Sequence, residues 1–70
     1  MTNEVRLLRF LAQDMTQAEL GKRVGLTRQT IAAIEQGRYS PSLETAFRIA
    51  DVFGKRVDEV FHWQGRPSTQ

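Results

Sequence analysis

The chain has no cysteine, a single histidine and only two prolines in its 70 residues. Without cysteine, neither a disulfide nor a thiolate metal site can staple so small a core. One histidine cannot complete a Cys–His pair or a metal-ligand cluster. No glycine-rich phosphate loop is present, since Gly21 and Gly25 sit in a helical hairpin. Catalytic residues, metal ligands and cofactors are therefore not expected. Nothing between Gly54 and Gln70 can house a small-molecule effector pocket of ordinary size. No apolar run nears the roughly 20 residues a membrane span needs. The opening residues also lack a signal peptide's charged start and apolar core. A soluble, cytoplasmic protein without a membrane partner is expected.

What is present is charge of both signs, unevenly placed. The net charge is +2. From Thr16 to Ser40, Lys22, Arg23, Arg28 and Arg38 face only Glu19 and Glu35. From Pro41 to Val60 the balance tips the other way, with Glu44, Asp51, Asp58 and Glu59 against Arg48, Lys55 and Arg56. A basic stretch beside an acidic one suits a protein that shows one face to a polyanion. Scattered solvated charge accounts for this distribution equally well.

Apolar periodicity predicts five short helices and an all-α fold. The first spans about Glu4 to Gln13, capped by Asn3, with Val5, Leu8 and Ala12 inward and Leu7 and Leu11 widening the stripe. Thr16 and Glu19 fit a reciprocal capping box that opens the second helix, and Gly25 closes it. Thr27 caps the third, Arg28 to about Gln36, which ends at Gly37. Ser42 caps the fourth, with Leu43, Ala46, Phe47, Ala50 and Phe53 as its apolar stripe and Gly54 as its stop. "VDEVF" forms a fifth from about Val57 to Phe61. One domain covers residues 1–65, and 66–70 read as a frayed tail.

The segment "TQAELGKRVGLTRQTIAAIEQG", Thr16 to Gly37, carries the chemistry. Gly21 lies where two short helices crossing near a right angle need a small residue. Leu20, Val24, Leu26, Ile31 and Ile34 pin the pair. A helix fits the major groove of B-DNA, and the N-terminal residues of such a second helix meet base edges. Arg28 can donate twice to guanine, Gln29 can both donate to and accept from adenine, and Thr30 offers a hydroxyl and a methyl. Phosphate contacts fall to Gln17 and Thr27 at helix starts and to the loop residues Arg38, Tyr39 and Ser40. Packing of the Tyr39 ring beneath the fourth helix is an equal alternative.

Thr16 to Gly54 resembles the lambda-repressor/Cro-like, or Xre, helix-turn-helix family. "RQTIAAIEQGRYSPSL" and "VDEVFHWQ" look especially like short stand-alone repressors, the cytolysin-operon type among them. The resemblance implies a helix-turn-helix unit at about 17–36, phosphate contact by Gln17 and base reading by Arg28, Gln29 and Thr30. It implies an ion pair between Arg9 and Glu35 that ties the first helix to the third. A homodimer on an inverted repeat of double-stranded DNA is implied as well, with Val57, Val60, Phe61 and Trp63 at its interface. A small antiparallel extension from the chain ends would accompany it and include His62 and Trp63. Two departures stand out. Ala32 replaces an asparagine of the cytolysin-type repressors, and the turn "AQDM" is one residue longer than usual. A DNA-binding antitoxin and a protein-interaction or coactivator module share the fold. Survival of Gln17, Arg28, Gln29 and Arg38 argues against the latter.

Overall fold

The computed structural model describes residues 1–63. The tail expected at 66–70 lies outside the described residues. In chain order the elements are β1 (Thr2–Asn3), α1 (Val5–Leu11), α2 (Gln17–Val24), α3 (Arg28–Glu35), α4 (Leu43–Val52), α5 (Val57–Val60) and β2 (Phe61–His62). The two strands pair antiparallel, Thr2 opposite His62 and Asn3 opposite Phe61. Trp63 follows the strand and is not part of it. The ladder continues as Glu4 N–H donates to the Val60 carbonyl at 2.8 Å, and His62 Nε2 lies 3.0 Å from Glu4 Oε2. The residues before α1 and after α5 are thereby tied together.

Local chemistry sets the helix starts. The hydroxyls of Thr16, Thr27 and Ser42 accept from the backbone N–H groups of Glu19, Thr30 and Thr45, each satisfying one orphan donor of a first turn. The return half of the expected capping box is replaced, because the Glu19 carboxylate pairs with Arg23 one turn later at 3.5 Å. Asn3 works on both sides. Its Oδ1 accepts from Val5 N–H and its Nδ2 donates to the Ile34 carbonyl, so β1 is fastened to the end of α3.

The α2–α3 corner is governed by backbone contact. Leu26 N–H donates to the Gly21 carbonyl at 2.8 Å, and a Cβ on Gly21 would run into the Leu26 carbonyl oxygen. Only glycine permits that approach. Gly25 completes the corner with φ +77°, where an L side chain is strained.

Leu20, Val24, Ile31 and Ile34 meet Val5, Met15, Ala46, Ile49, Ala50, Val60 and Phe61 in one core. Four residues expected in the apolar stripes are exposed instead. Leu7 and Leu11 do not widen the stripe of α1 but lie exposed, Leu11 at 71%, and Phe10 beside them is exposed at 70%. On α4, Leu43 and Phe47 are exposed while Ile49 is fully buried. The core-facing stripe of α4 is thus rotated relative to the expected one, following Ala46, Ile49 and Ala50. Only part of each short helix can reach a core this small.

Candidate nucleic-acid interface

The first turn of α3 leaves Arg28 and Gln29 exposed. Arg28 forms no ion pair among the described residues, so its guanidinium keeps its donors available. Thr30 is half-buried, and its hydroxyl shares a 3.0 Å hydrogen bond with that of Thr27. Both hydroxyls are therefore engaged in the cap of α3. Ala32 and Ala33 follow, half-buried, and keep the outer side of the helix thin.

A network at the other end of α3 fixes the helix in place. Arg9 of α1 grips Glu35 of α3 in a fork, Nε to Oε2 at 2.6 Å and a terminal nitrogen to Oε1 at 3.1 Å. Its other terminal nitrogen donates to the Met15 carbonyl at 2.8 Å. Side-chain exposure is 16% for Arg9 and 5% for Glu35. The hydrogen bond that Arg9 donates to Glu35 raises the Arg9 pKa against the opposing effect of burial. The Gln17 amide also donates to Glu35 Oε1 at 3.1 Å. Gln17 is accordingly oriented by the ion pair and does not swing freely at the start of α2.

Beyond α3, Gly37 turns the chain with φ +75°, and Arg38 N–H donates to the Ala33 carbonyl at 2.9 Å. Arg38, Tyr39 and Ser40 are all exposed. Tyr39 therefore does not pack its ring under α4. Arg38 has no ion pair among the described residues. Base-facing and phosphate-facing candidates thus lie at the two ends of α3, with Gln17 at the head of α2.

A cleft of about 620 Å³ brings Phe10, Asp14, Thr16, Gln17 and Arg28 together. Phe10 and Asp14 were not expected here. Asp14 and its neighbour Gln13 both adopt φ +58°, in a left-handed conformation that residues other than glycine visit reluctantly. The extra length of "AQDM" was the one sequence signal of an unusual turn.

The expected dimer residues divide. Val60 is 0% exposed and Phe61 is buried, both within the protomer's own core, so neither offers an accessible interface. The last helix is one turn long, and its apolar side seals the core. Val57 packs partly against that core, whereas Trp63 is 84% exposed. Met1, Phe47, Val57, Phe61 and Trp63 rim a cleft of about 650 Å³, with Asp51, Lys55, Arg56 and Asp58 around it. Neither Met1 nor Phe47 is marked for this cleft by the sequence, where Phe47 falls in the expected core stripe of α4 and Met1 in no pattern.

A model of the Helix-turn-helix family matches residues 5–60, which takes in α1 to α5 and both ends of α3. The chain belongs to the lambda-repressor-like, or Xre, helix-turn-helix family of DNA-binding transcription regulators. That family is not an enzyme class. An uncharacterised HTH-type transcriptional regulator of Methanocaldococcus jannaschii is 44% identical over 64 residues, covering 91% of this chain and 96% of that protein. One from Bacillus subtilis is 46% identical over 61 residues, 87% and 91% of the two chains. The cryptic phage CTXphi transcriptional repressor RstR of Vibrio cholerae is 32% identical over 59 residues, 84% of this chain and 52% of that protein. Among the described residues, no helix is long and apolar enough to cross a membrane.

Proposed function

We propose that this Xre-family chain is a sequence-specific repressor that binds an inverted repeat in double-stranded DNA as a homodimer, α3 lying in the major groove. The observation that carries the reading is the exposed pair Arg28–Gln29 at the start of α3. It is held out by a capped, glycine-cornered hairpin, and the helix is braced at its far end by Arg9 and Glu35. Arg28 and Gln29 read base edges, aided by the methyl of Thr30, while Gln17, Thr27, Arg38, Tyr39 and Ser40 follow the phosphates. The dimer forms through Val57 and Trp63 together with Met1 and Phe47. Carboxylates and cations on one rim suit a two-fold contact in which each copy offers the same patch. Two reading helices then fall about 34 Å apart, on successive major grooves. Relatives named as repressors, RstR of Vibrio cholerae among them, favour repression, carried out in the cytoplasm.

Selection of bound sequences from a random DNA pool tests the reading directly and is expected to return a palindrome. On that site Arg28→Ala and Gln29→Ala each cost about 1–3 kcal/mol and relax one or two base positions. Arg38→Ala weakens cognate and random DNA alike and lowers the salt slope by about one. Equal loss on every sequence from all three changes rejects the base-reading assignment. The antitoxin alternative draws on one observation, the bare ridge of Leu7, Phe10 and Leu11 on α1. A chain that binds DNA only together with a second protein would favour it.

A further inference from the structure

Asp14 lines the cleft that Gln17 and Arg28 also line. It is exposed and has no ion pair among the described residues. The turn that brings it there has two consecutive residues at φ +58°, a conformation a chain avoids unless its surroundings impose it. Asp14 N–H donates to the Phe10 carbonyl and Met15 N–H to the Arg9 carbonyl, and Arg9 returns a side-chain bond to the Met15 carbonyl. The turn is thus held from both sides. The backbone that carries the Asp14 side chain is thereby fixed.

On the DNA-binding reading above, with Gln17 and Thr27 on phosphates, the DNA backbone runs by the cleft that Asp14 lines. We infer that Asp14 is an anionic guard, a residue that lowers affinity for every duplex by repelling the phosphate nearest to Gln17. Sequence reading is left to Arg28 and Gln29, because repulsion from a phosphate carries no base information. Its effect is to hold down the sequence-independent attraction that comes from backbone charge. The inference rests on the DNA-binding reading given above.

Asp14→Asn is the clean variant. It removes the charge, keeps the shape and suits a left-handed residue as well as aspartate does. Asp14→Gly removes the charge by a second route that also relieves the backbone. Binding of wild type and both variants is measured by fluorescence anisotropy on the selected site and on a random duplex, from about 50 to 200 mM salt. Both variants are expected to bind both duplexes more tightly at the low end, by about three- to five-fold per protomer and about ten- to twenty-five-fold for a bound dimer, from the repulsion of one charge pair per protomer at about 5 Å in water-like surroundings. The gain shrinks as salt rises. Glu59→Gln makes the same change in net charge on α5 while keeping an oxygen to accept the Arg56 N–H, and it is expected to gain less.

Unchanged or weaker binding by both Asp14 variants overturns the inference, as does an equal gain from Glu59→Gln. A loss confined to the selected site overturns it too, and marks Asp14 as an acceptor for a base. A wild-type chain that binds neither duplex overturns the DNA reading itself. Wild-type binding with no change in the Asp14 variants overturns the guard alone.

Discussion

Arg9→Met tests whether the geometry of the interface depends on the bridge behind it. The guanidinium makes two bonds to Glu35 and one to the Met15 carbonyl, all between 2.6 and 3.1 Å. Methionine fills a similar volume but leaves the Glu35 carboxylate with the Gln17 amide as its one side-chain partner. At 5% exposure, that carboxylate has little water to turn to. Removing one partner of a buried pair costs about 3–5 kcal/mol. Arg9 keeps some contact with solvent, so about 3 kcal/mol, the low end, is expected. For a domain of this size that is a melting temperature lower by about 12–24 °C. It is also a large share of a total stability of about 4–10 kcal/mol.

The assay is urea unfolding followed by circular dichroism, with a fall in midpoint at unchanged slope as the expected outcome. Should Arg9→Met be unfolded in buffer, the double variant Arg9→Met, Glu35→Leu keeps the reasoning open to refutation. An apolar pair of matching volume is about neutral or stabilising where an unpaired charge is not. The double variant is therefore expected to regain most of the loss, giving a coupling energy of about 2–3 kcal/mol. Additive losses, or a loss below about 1 kcal/mol from Arg9→Met alone, would refute the argument. The sign of the pH dependence follows from the raised Arg9 pKa. A cation whose pKa rises on folding stabilises at every pH below its unfolded value. For arginine that includes all working conditions, so the Arg9 contribution is expected to stay constant from neutral to mildly alkaline pH.

Three further outcomes are expected. Gly21→Ala places a methyl against the Leu26 carbonyl oxygen, so the domain loses about 2 kcal/mol in urea titration despite alanine's better helix propensity. A gain in stability would show that the corner can widen. Gln13→Gly relieves one positive φ and is expected to raise stability by up to about 1 kcal/mol, read as a higher melting temperature. Phe47→Glu puts a charge on the exposed apolar face at the proposed dimer contact. Sedimentation is expected to show monomers, with weaker binding to a full palindrome and unchanged binding to a half-site. A dimer that survives the change would place the interface elsewhere.

Features that depend on neighbours a few residues away were legible in the sequence. Thr16, Thr27 and Ser42 cap the helices expected of them, and Gly25, Gly37 and Gly54 take positive φ where those helices end. Such choices are made within one turn, from the needs of unpaired N–H groups and left-handed backbone. The Arg9–Glu35 pair was legible only through family resemblance, since 26 residues separate the partners and no local pattern joins them. The turn at Gln13 and Asp14 was visible as extra length, but not as two left-handed residues. Asp14 is of a type that tolerates that conformation, but nothing marks Gln13.

Burial was the less legible part, and the reason is geometric. A helix of seven residues such as α1 completes scarcely two turns, so Val5 and Leu8 define one apolar stripe while Leu7, Phe10 and Leu11 define another. Periodicity identifies both stripes without saying which one faces the core. The same ambiguity on α4 let Leu43 and Phe47 stand in for Ile49. In a larger domain both stripes could be covered. Here the interior is filled by eleven residues from α1 to β2 and the loop before α2, leaving the second stripe of each helix to solvent or to another molecule. That distinction separates the two halves of the functional reading. The DNA-facing half rests on caps, a glycine corner and an ion pair, which fix side chains within the protomer. The dimer half rests on apolar residues left over after the core is complete, which is why Val60 and Phe61 left that half when the core claimed them while Trp63 and Phe47 define it.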